Sequence, residues 1–186
     1  PPMITKVIPT VTTPIADAQL SASDRRYLAD LPKWGFLKVD GVQFVCVHAT
    51  PRDPLYEYLG PDAESWKDRV QGIAADAILV GHTHLQFRLD LGDRVVVNPG
   101  SLGQPKDGDP RAAYALIDDG RVTLHRVAYD VEATVAQLAA CAIPARAIAE
   151  LSALLRTGRV PQQTAPTEVG AAGAISEAPR FGGDPL

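Results

Sequence analysis

A short apolar run that ends in a glycine and two histidines, Ala77-Ile-Leu-Val-Gly-His-Thr-His84, constrains this chain more than any other feature. A run of consecutive apolar residues before a glycine predicts a buried strand, because a strand covered on both faces does not need to alternate polar with apolar side chains. An extended chain sends residues i and i+2 to the same side, so we expect His82 and His84 to present their imidazoles in one direction. Open α/β folds bind ligands at the carboxyl ends of strands, so this stretch is either a ligand site or an ordinary polar turn.

A second predicted core strand also ends in a histidine. Residues 36–48 are typical of a hairpin with a tight turn at Asp40-Gly41, and its second arm is almost wholly apolar before His48. A helix pattern over residues 62–75 then leads into the strand described above. Strand, helix and strand in this order indicate a sheet with some parallel pairing. Two core strands that finish in histidine make the polar-turn interpretation less satisfactory.

The remaining patterns divide the chain into three parts. After the Ala77–His84 stretch, two more hairpins are predicted at residues 87–98 and 112–127, and two helices within residues 131–155. Residues 1–19 lack clear periodicity and are predicted to be a poorly ordered segment or a truncated junction. The folded domain is expected over residues 20–158. Residues 159–186 are rich in Pro, Gly, Ala and Thr and are predicted to be a disordered tail.

Composition excludes several classes of partner. The chain has 186 residues and a net charge of −4, so it has no basic footprint for nucleic acid. No apolar run is long enough to span a bilayer. Cys46 and Cys141 lie in apolar patterns without CxxC spacing, so we expect two buried thiols and a cytoplasmic location. Homo-oligomers stay open.

Histidines at the ends of two core strands are the ingredients of a nitrogen-ligand metal site. Neutral imidazole binds zinc, iron, nickel and similar ions, with a second partner that holds its tautomer. Three histidines alone could form a mononuclear zinc site with an open position. A two-metal site needs more ligands, normally including a carboxylate that bridges the ions.

Three motifs in combination resemble the calcineurin-like metallophosphoesterase superfamily. They are Val47-His48-Ala49, Gly81-His82-Thr83-His84 and Asn98-Pro-Gly-Ser101. The resemblance covers roughly residues 20–130 and is greatest to small phosphodiesterases of the YfcE type. It implies a four-layer α/β/β/α sandwich with mixed sheets, here lacking its first βα units.

The resemblance also implies a metal-dependent phosphoesterase with a dinuclear centre, whose partner is a small phosphorylated substrate. His48 and His82 would bind one divalent ion and His84 the other, with manganese expected first and iron, zinc or nickel as alternatives. The ions would activate water for attack on phosphorus, so the histidines place charge and no residue here is assigned as a catalytic proton donor. Arg52 is the candidate substrate contact, since arginine pairs well with phosphate, although an exposed loop position is an equal alternative.

The chain departs from the family pattern before its first matching motif. The family opens with Asp-x-His, Gly-Asp and Gly-Asn-His motifs, and none of these occurs in residues 1–20. We therefore expect this chain to be the carboxyl-terminal portion of the domain, with an incompletely coordinated site and little activity alone. The alternative is a non-catalytic interaction scaffold on the same fold, as in the retromer subunit that resembles this family. A three-histidine zinc hydrolase is a third option.

Overall fold

The computed structural model of the chain describes residues 4–161. Most of the predicted tail, residues 159–186, lies outside this range. The strands are β1 (Trp34–Val39), β2 (Val42–Val47), β3 (Ala77–Leu79), β4 (Gln86–Asp90), β5 (Val95–Pro99), β6 (Ala112–Asp118) and β7 (Arg121–Val127). The helices are α1 (Ile4–Gln19), α2 (Ala22–Asp30), α3 (Ala63–Arg69), α4 (Val131–Ala139) and α5 (Ala145–Thr157).

The main sheet is mixed and has the order β1-β2-β3-β5-β4. Its three inner strands, β2, β3 and β5, run parallel, while β1 and β4 pair antiparallel at the edges. Strand β2, helix α3 and strand β3 form the expected crossover between parallel neighbours. Strands β6 and β7 form a separate antiparallel hairpin. The carboxyl ends of the parallel strands therefore lie side by side at one edge.

The hydrophobic core lies between helix α3 and one face of the main sheet. Trp66 and Val70 from the helix segment pack on Val45, Ile78 and Val96 of the inner strands, all nearly inaccessible to water. These strand residues come from continuous apolar runs, as expected for strands buried on both faces. The loops that follow the carboxyl ends of the parallel strands are therefore attached to the buried core of the domain.

Two Asp-Gly turns confirm the hairpin predictions. Asp40 and Gly41 have φ values of 51° and 87°, and Asp119 and Gly120 have 47° and 67°. Positive φ at both central residues is the requirement of a type I′ hairpin turn. The Gly120 amide also donates a hydrogen bond to the Asp40 carboxylate at 3.2 Å, which joins the β6–β7 hairpin to the β1–β2 hairpin of the main sheet.

Helix boundaries depart from the sequence expectations in two places. Helix α3 ends at Arg69 rather than near residue 75, because Gly72 adopts φ 78° and the chain cannot continue as a helix there. Helix α1 occupies Ile4–Gln19, where no regular element was predicted. Pro9 and Pro14 disfavour a helix locally, and the contact of α1 with α5 supplies a tertiary contribution that local propensity cannot show.

The two cysteines are less buried than their sequence patterns predicted. Both are free thiols, but Cys141 is exposed and Cys46 is partly buried. Cys141 follows the last turn of α4 and lies in the link to α5, outside the apolar face of either helix. Within residues 4–161, every helix is too short or too polar to cross a membrane.

Candidate metal centre

The three parallel strands bring the motif residues to one edge of the sheet. His48 directly follows β2, His82 lies three residues after β3, and Asn98 is near the end of β5. The Gly81 amide donates to the His48 carbonyl oxygen at 2.9 Å and so joins the ends of β2 and β3. A Cβ at Gly81 would lie 3.4 Å from that oxygen, which is an ordinary van der Waals contact.

His48 and His82 are in direct contact. Nε2 of His48 lies 3.0 Å from Nδ1 of His82, and the rings meet edge to face with centroids 4.9 Å apart. Two nitrogens at about 2.1 Å from one ion are separated by about 3.0 Å when the coordination is octahedral and by about 3.4 Å when it is tetrahedral. The pair therefore has the separation of two ligands that share a single metal ion. Without an ion, one imidazole donates a hydrogen bond to the other.

The expectation that His82 and His84 belong to an extended strand is wrong. Strand β3 ends at Leu79, and both histidines have φ 60°, in the left-handed region. This conformation costs a residue with a Cβ roughly 1–2 kcal/mol, and it persists only where the surroundings impose it. The two imidazoles are consequently placed by a strained loop, and the alternation of an extended chain does not set their directions.

Asn98 imposes the shape of this histidine loop. Its side-chain amide is fully buried and donates to the Gly81 carbonyl at 2.7 Å and to Thr83 Oγ1 at 3.1 Å. Its Oδ1 accepts from the Gly100 amide at 2.9 Å. From the other side, the hydroxyl of Tyr58 donates to the Thr83 carbonyl at 3.1 Å. The Asn-Pro-Gly-Ser motif therefore contacts the residues next to the histidines, Gly81 and Thr83, rather than the imidazoles themselves.

A second loop orients His84. The Gln104 carbonyl lies 2.7 Å from His84 Nδ1, and a carbonyl can only accept, so Nδ1 carries the proton. This leaves Nε2 unprotonated and able to bind a metal, which is the usual arrangement of a metal-ligating histidine. The Gln104 amide in turn donates to Ser101 Oγ at 3.0 Å, and the Lys106 amide donates to the His84 carbonyl at 3.1 Å.

Burial and charge keep these imidazoles neutral. Burial lowers the pKa of His82, with smaller contributions from His48 and Lys106. The pKa of His84 is lowered by burial first and then by the charge of Lys106. A neutral imidazole is the form that binds a metal. The loop thus holds both side chains in the protonation state of a ligand near neutral pH.

Arg52, the predicted substrate contact, forms an ion pair with helix α3. Its exposed guanidinium is 3.4 Å from the carboxylate of Asp68 on α3. The same β2–α3 loop is held by Glu57, which accepts from the buried hydroxyl of Thr50 and from the guanidinium of Arg69 at 2.8 Å. The role of Arg52 remains a prediction, since its only ion pair within residues 4–161 is with Asp68.

The described residues supply part of a ligand set. The imidazoles of His48 and His82 are in contact, and the Gln104 carbonyl fixes the tautomer of His84. In residues 4–161, no group of three or more His, Cys, Asp or Glu side chains is close enough together to hold a metal ion. Imidazole pairs of this kind fit a divalent ion, but an ion needs further ligands or water to complete its coordination. The fit is real but incomplete.

A sequence profile of the calcineurin-like phosphoesterase superfamily domain matches residues 16–120. The chain belongs to the calcineurin-like phosphoesterase superfamily. A metallophosphoesterase from Sphaerobacter thermophilus is 32% identical, with a TM-score of 0.62 over 76% of this chain and 63% of that chain. An uncharacterized protein of Methanocaldococcus jannaschii is 33% identical over 125 residues, which is 58% of this chain and 50% of the relative. Phosphodiesterase YfcE of Escherichia coli K12 is 34% identical over 64 residues, covering 34% of this chain and 33% of YfcE.

These comparisons confirm the expected family and its mixed α/β fold with a mixed sheet. The chain spans about half the length of the curated relative it matches over 125 residues. Members of this family generally bind divalent metals. The matched region contains all three motifs that carried the resemblance.

Sequence reasoning missed three residues that shape the site. Tyr58 packs edge to face on His82 with ring centroids 5.7 Å apart, and Gln104 and Lys106 contact His84 through their backbones. All three lie in loops without periodicity, so no pattern predicted their contacts. The only available signal was the position of Gln104 and Lys106 just after the Asn-Pro-Gly-Ser motif.

Proposed function

We propose that this chain carries the histidine part of a divalent-metal centre that hydrolyses phosphate esters, with phosphodiesters as the first substrates to test. The observation that carries the proposal is the 3.0 Å separation of His48 Nε2 and His82 Nδ1 at the carboxyl ends of parallel strands. The similarity to YfcE, whose name describes a phosphodiesterase, supports the choice of substrate. A cytoplasmic location remains part of the proposal.

The histidines would hold the positively charged metal ions in place. His48 and His82 would hold one ion, and His84, through its free Nε2, would hold a second. Manganese is the first candidate, with iron, zinc and nickel as alternatives. When bound, such ions lower the pKa of water and neutralise charge on phosphoryl oxygens. The chain's own contribution is to fix the imidazoles, their tautomers and their neutral state before any ion arrives.

The strain of the histidine loop supports a functional role. Two non-glycine residues with φ 60° within three positions are uncommon, and such strained residues cluster at functional sites. A buried asparagine, Asn98, donates two hydrogen bonds to this loop, one to the Gly81 carbonyl and one to Thr83 Oγ1. An ordinary polar turn would not require such support.

The decisive experiment measures hydrolysis of bis-p-nitrophenyl phosphate with added Mn²⁺ by the complete product of the gene that encodes this chain. We expect metal-stimulated turnover, and a loss on the order of 100-fold or more in His82→Ala. His125→Ala is the matched control, because His125 lies in the separate β6–β7 sheet, where its ring contacts Thr123 at 2.7 Å and stacks on Tyr114. Absence of metal-stimulated hydrolysis in the wild-type product would contradict the proposal.

The 186-residue chain on its own is expected to turn over this substrate weakly or not at all. Only two imidazoles meet within residues 4–161, and two ligands hold a labile ion poorly. Rapid turnover by this chain alone would show that the remaining ligands come from elsewhere in it.

A non-catalytic interaction scaffold is the second candidate. The lack of a third converging ligand in the described part of the chain favours it. Metal content of the purified complete gene product, measured by mass spectrometry, separates the two. An enzyme should retain about one to two ions per chain, as a dinuclear centre requires, whereas a scaffold should retain almost none.

A further inference from the structure

A cleft lies between the main sheet and the β6–β7 hairpin, at the amino ends of the parallel strands. Its cavity has a volume of about 470 Å³. Three of the residues that line it, Val42, Ala77 and Val95, are the first residues of β2, β3 and β5. The candidate metal ligands follow the carboxyl ends of the same sheet, about 20 Å away along β2. The cleft is therefore separate from the histidines.

Contacts on two sides of the cleft fix the hairpin on the main sheet. On one side, a Cβ added to Gly120 would come within 2.6 Å of Val42 Cγ2, and the Gly120 amide donates to the Asp40 carboxylate at 3.2 Å. On the other side, the side-chain amide of Gln86 donates to the His125 carbonyl at 3.0 Å. Both contacts join β7 or its turn to the main sheet, so the walls of the cavity are fixed relative to each other.

Two arginines bring positive charge to this cavity from opposite sheets. Arg88 of β4 and Arg121 of β7 both line it and both are exposed, so a ligand can reach them. Neither guanidinium belongs to an ion pair in residues 12–161. Asp76 also lines the cavity, and its Oδ2 accepts from the Gln43 amide at 2.8 Å. Two arginines and one aspartate leave the lining with a net charge of +1.

The rest of the lining is apolar except for the hydroxyl of Thr123 and the turn glycine Gly120. Sites for small molecules typically have volumes of about 300–1,000 Å³, an apolar surface and a few polar groups that orient the ligand. The cleft has this size and this composition. Its charge selects an anion, and its valines favour an anion that carries an apolar part.

Phosphate suits a pair of arginines better than carboxylate does. A guanidinium binds two oxygens in parallel, so the two oxygens of a carboxylate occupy one arginine and leave the other unused. A phosphate monoester has three free oxygens and a charge of about −1.5 to −2 at neutral pH, and it can pair with both.

We propose that this cleft binds a small organic phosphate, with the phosphate group on Arg88 and Arg121 and the apolar part on the valines of the lining. The site goes beyond the proposed phosphoesterase function and does not depend on it, because it lies at the opposite end of the parallel strands from the histidines. A bound phosphate monoester would join the main sheet to the hairpin through one arginine from each.

Calorimetry with phenyl phosphate and the metal-free 186-residue chain at pH 8 tests the proposal. Benzoate, which has the same ring and a carboxylate, and inorganic phosphate, which has no apolar part, are the comparison ligands. We expect phenyl phosphate to bind most tightly, because only this ligand has both parts. Backbone amide shifts in ¹⁵N NMR should change at Ala77, Val95 and Gly120, and should stay the same at Gly81.

Arg88→Gln and Arg121→Gln should each weaken the binding of phenyl phosphate about tenfold or more, since each removes charge-assisted hydrogen bonds. Arg26→Gln is the matched control, because Arg26 is an exposed arginine of α2 that also lacks an ion pair in residues 12–161 and does not line the cleft. Asp76→Asn should strengthen binding about twofold, because it removes a like charge from the lining. His82→Ala should leave the affinity unchanged.

Four results would overturn the proposal. They are no measurable binding of phenyl phosphate by the wild-type chain, equal affinity for benzoate, unchanged affinity in both arginine variants, and an equal loss in Arg26→Gln. A loss in His82→Ala would also contradict it, because the ligand would then bind at the histidines.

Urea denaturation shows whether the arginine variants remain folded. If either unfolds, the lysine replacements Arg88→Lys and Arg121→Lys keep the charge but lose the planar fork, and they must weaken binding for the proposal to stand. Hydrolysis by the complete gene product is scored independently. Absent hydrolysis with intact binding of phenyl phosphate in the cleft would refute only the proposed function.

Discussion

Replacement of Asn98 by alanine tests whether one buried side chain supports the histidine loop. The change removes hydrogen bonds to Gly81, Thr83 and Gly100 at 2.7, 3.1 and 2.9 Å. Each such bond contributes about 1 kcal/mol net, so their loss costs about 3 kcal/mol. The small cavity adds to this cost and relaxation of the strained histidines offsets part of it, which leaves about 2–4 kcal/mol.

Urea denaturation followed by circular dichroism measures this loss, and a melting temperature lower by about 4–16 °C should accompany it. Thr83→Val is the matched comparison in the same loop, because it removes one bond with Asn98 and one with the Leu85 amide. We expect it to cost about 1–2 kcal/mol, less than Asn98→Ala. Calorimetry with Mn²⁺ should also show weaker binding to Asn98→Ala. A loss of stability below about 1 kcal/mol would refute the view that Asn98 imposes the loop conformation.

Two further predictions concern the strain and the ionisation of the loop. His82→Gly should be about 1 kcal/mol more stable than His82→Ala by urea denaturation, because both lose the imidazole but only alanine keeps a Cβ at φ 60°; equal stability of the two variants would show that the position is unstrained. The metal-free chain should lose stability as the pH falls from about 7 towards 5, because burial lowers the folded-state pKa of His82 and His84 below the ordinary value near 6.5 and the unfolded chain then binds more protons. Denaturation at pH 8 and pH 5.5 measures the fall, His84→Gln should reduce it, and stability that increases on acidification would contradict the sign.

The hairpins could be predicted from local patterns. The Asp40-Gly41 turn depends on two adjacent residues, so the sequence alone specifies it. Helix α1 could not be predicted from the sequence, because its prolines oppose a helix locally and its contact with α5 joins residues far apart in the chain. Local propensity decides an element only where tertiary contacts agree with it.

Sequence by itself determined which residues form the candidate site. His48, His82 and His84 were selected because apolar strands end at or near them, and the family match confirms the resemblance that their motifs suggested. The expected geometry of the last two was wrong, since the extended chain stops at Leu79. The presence of candidate ligands was encoded locally, but their directions were not.

Only the tertiary structure decided how the candidate ligands are arranged. The left-handed conformation of both histidines depends on Asn98, which lies 14 or more residues away in the chain, and the tautomer of His84 depends on Gln104. The ion pair of Arg52 with Asp68 likewise depends on which carboxylate another element brings near. Hydrogen bonds and ion pairs between segments far apart in sequence have no periodic signature, so they appear only when parallel strands place their ends side by side.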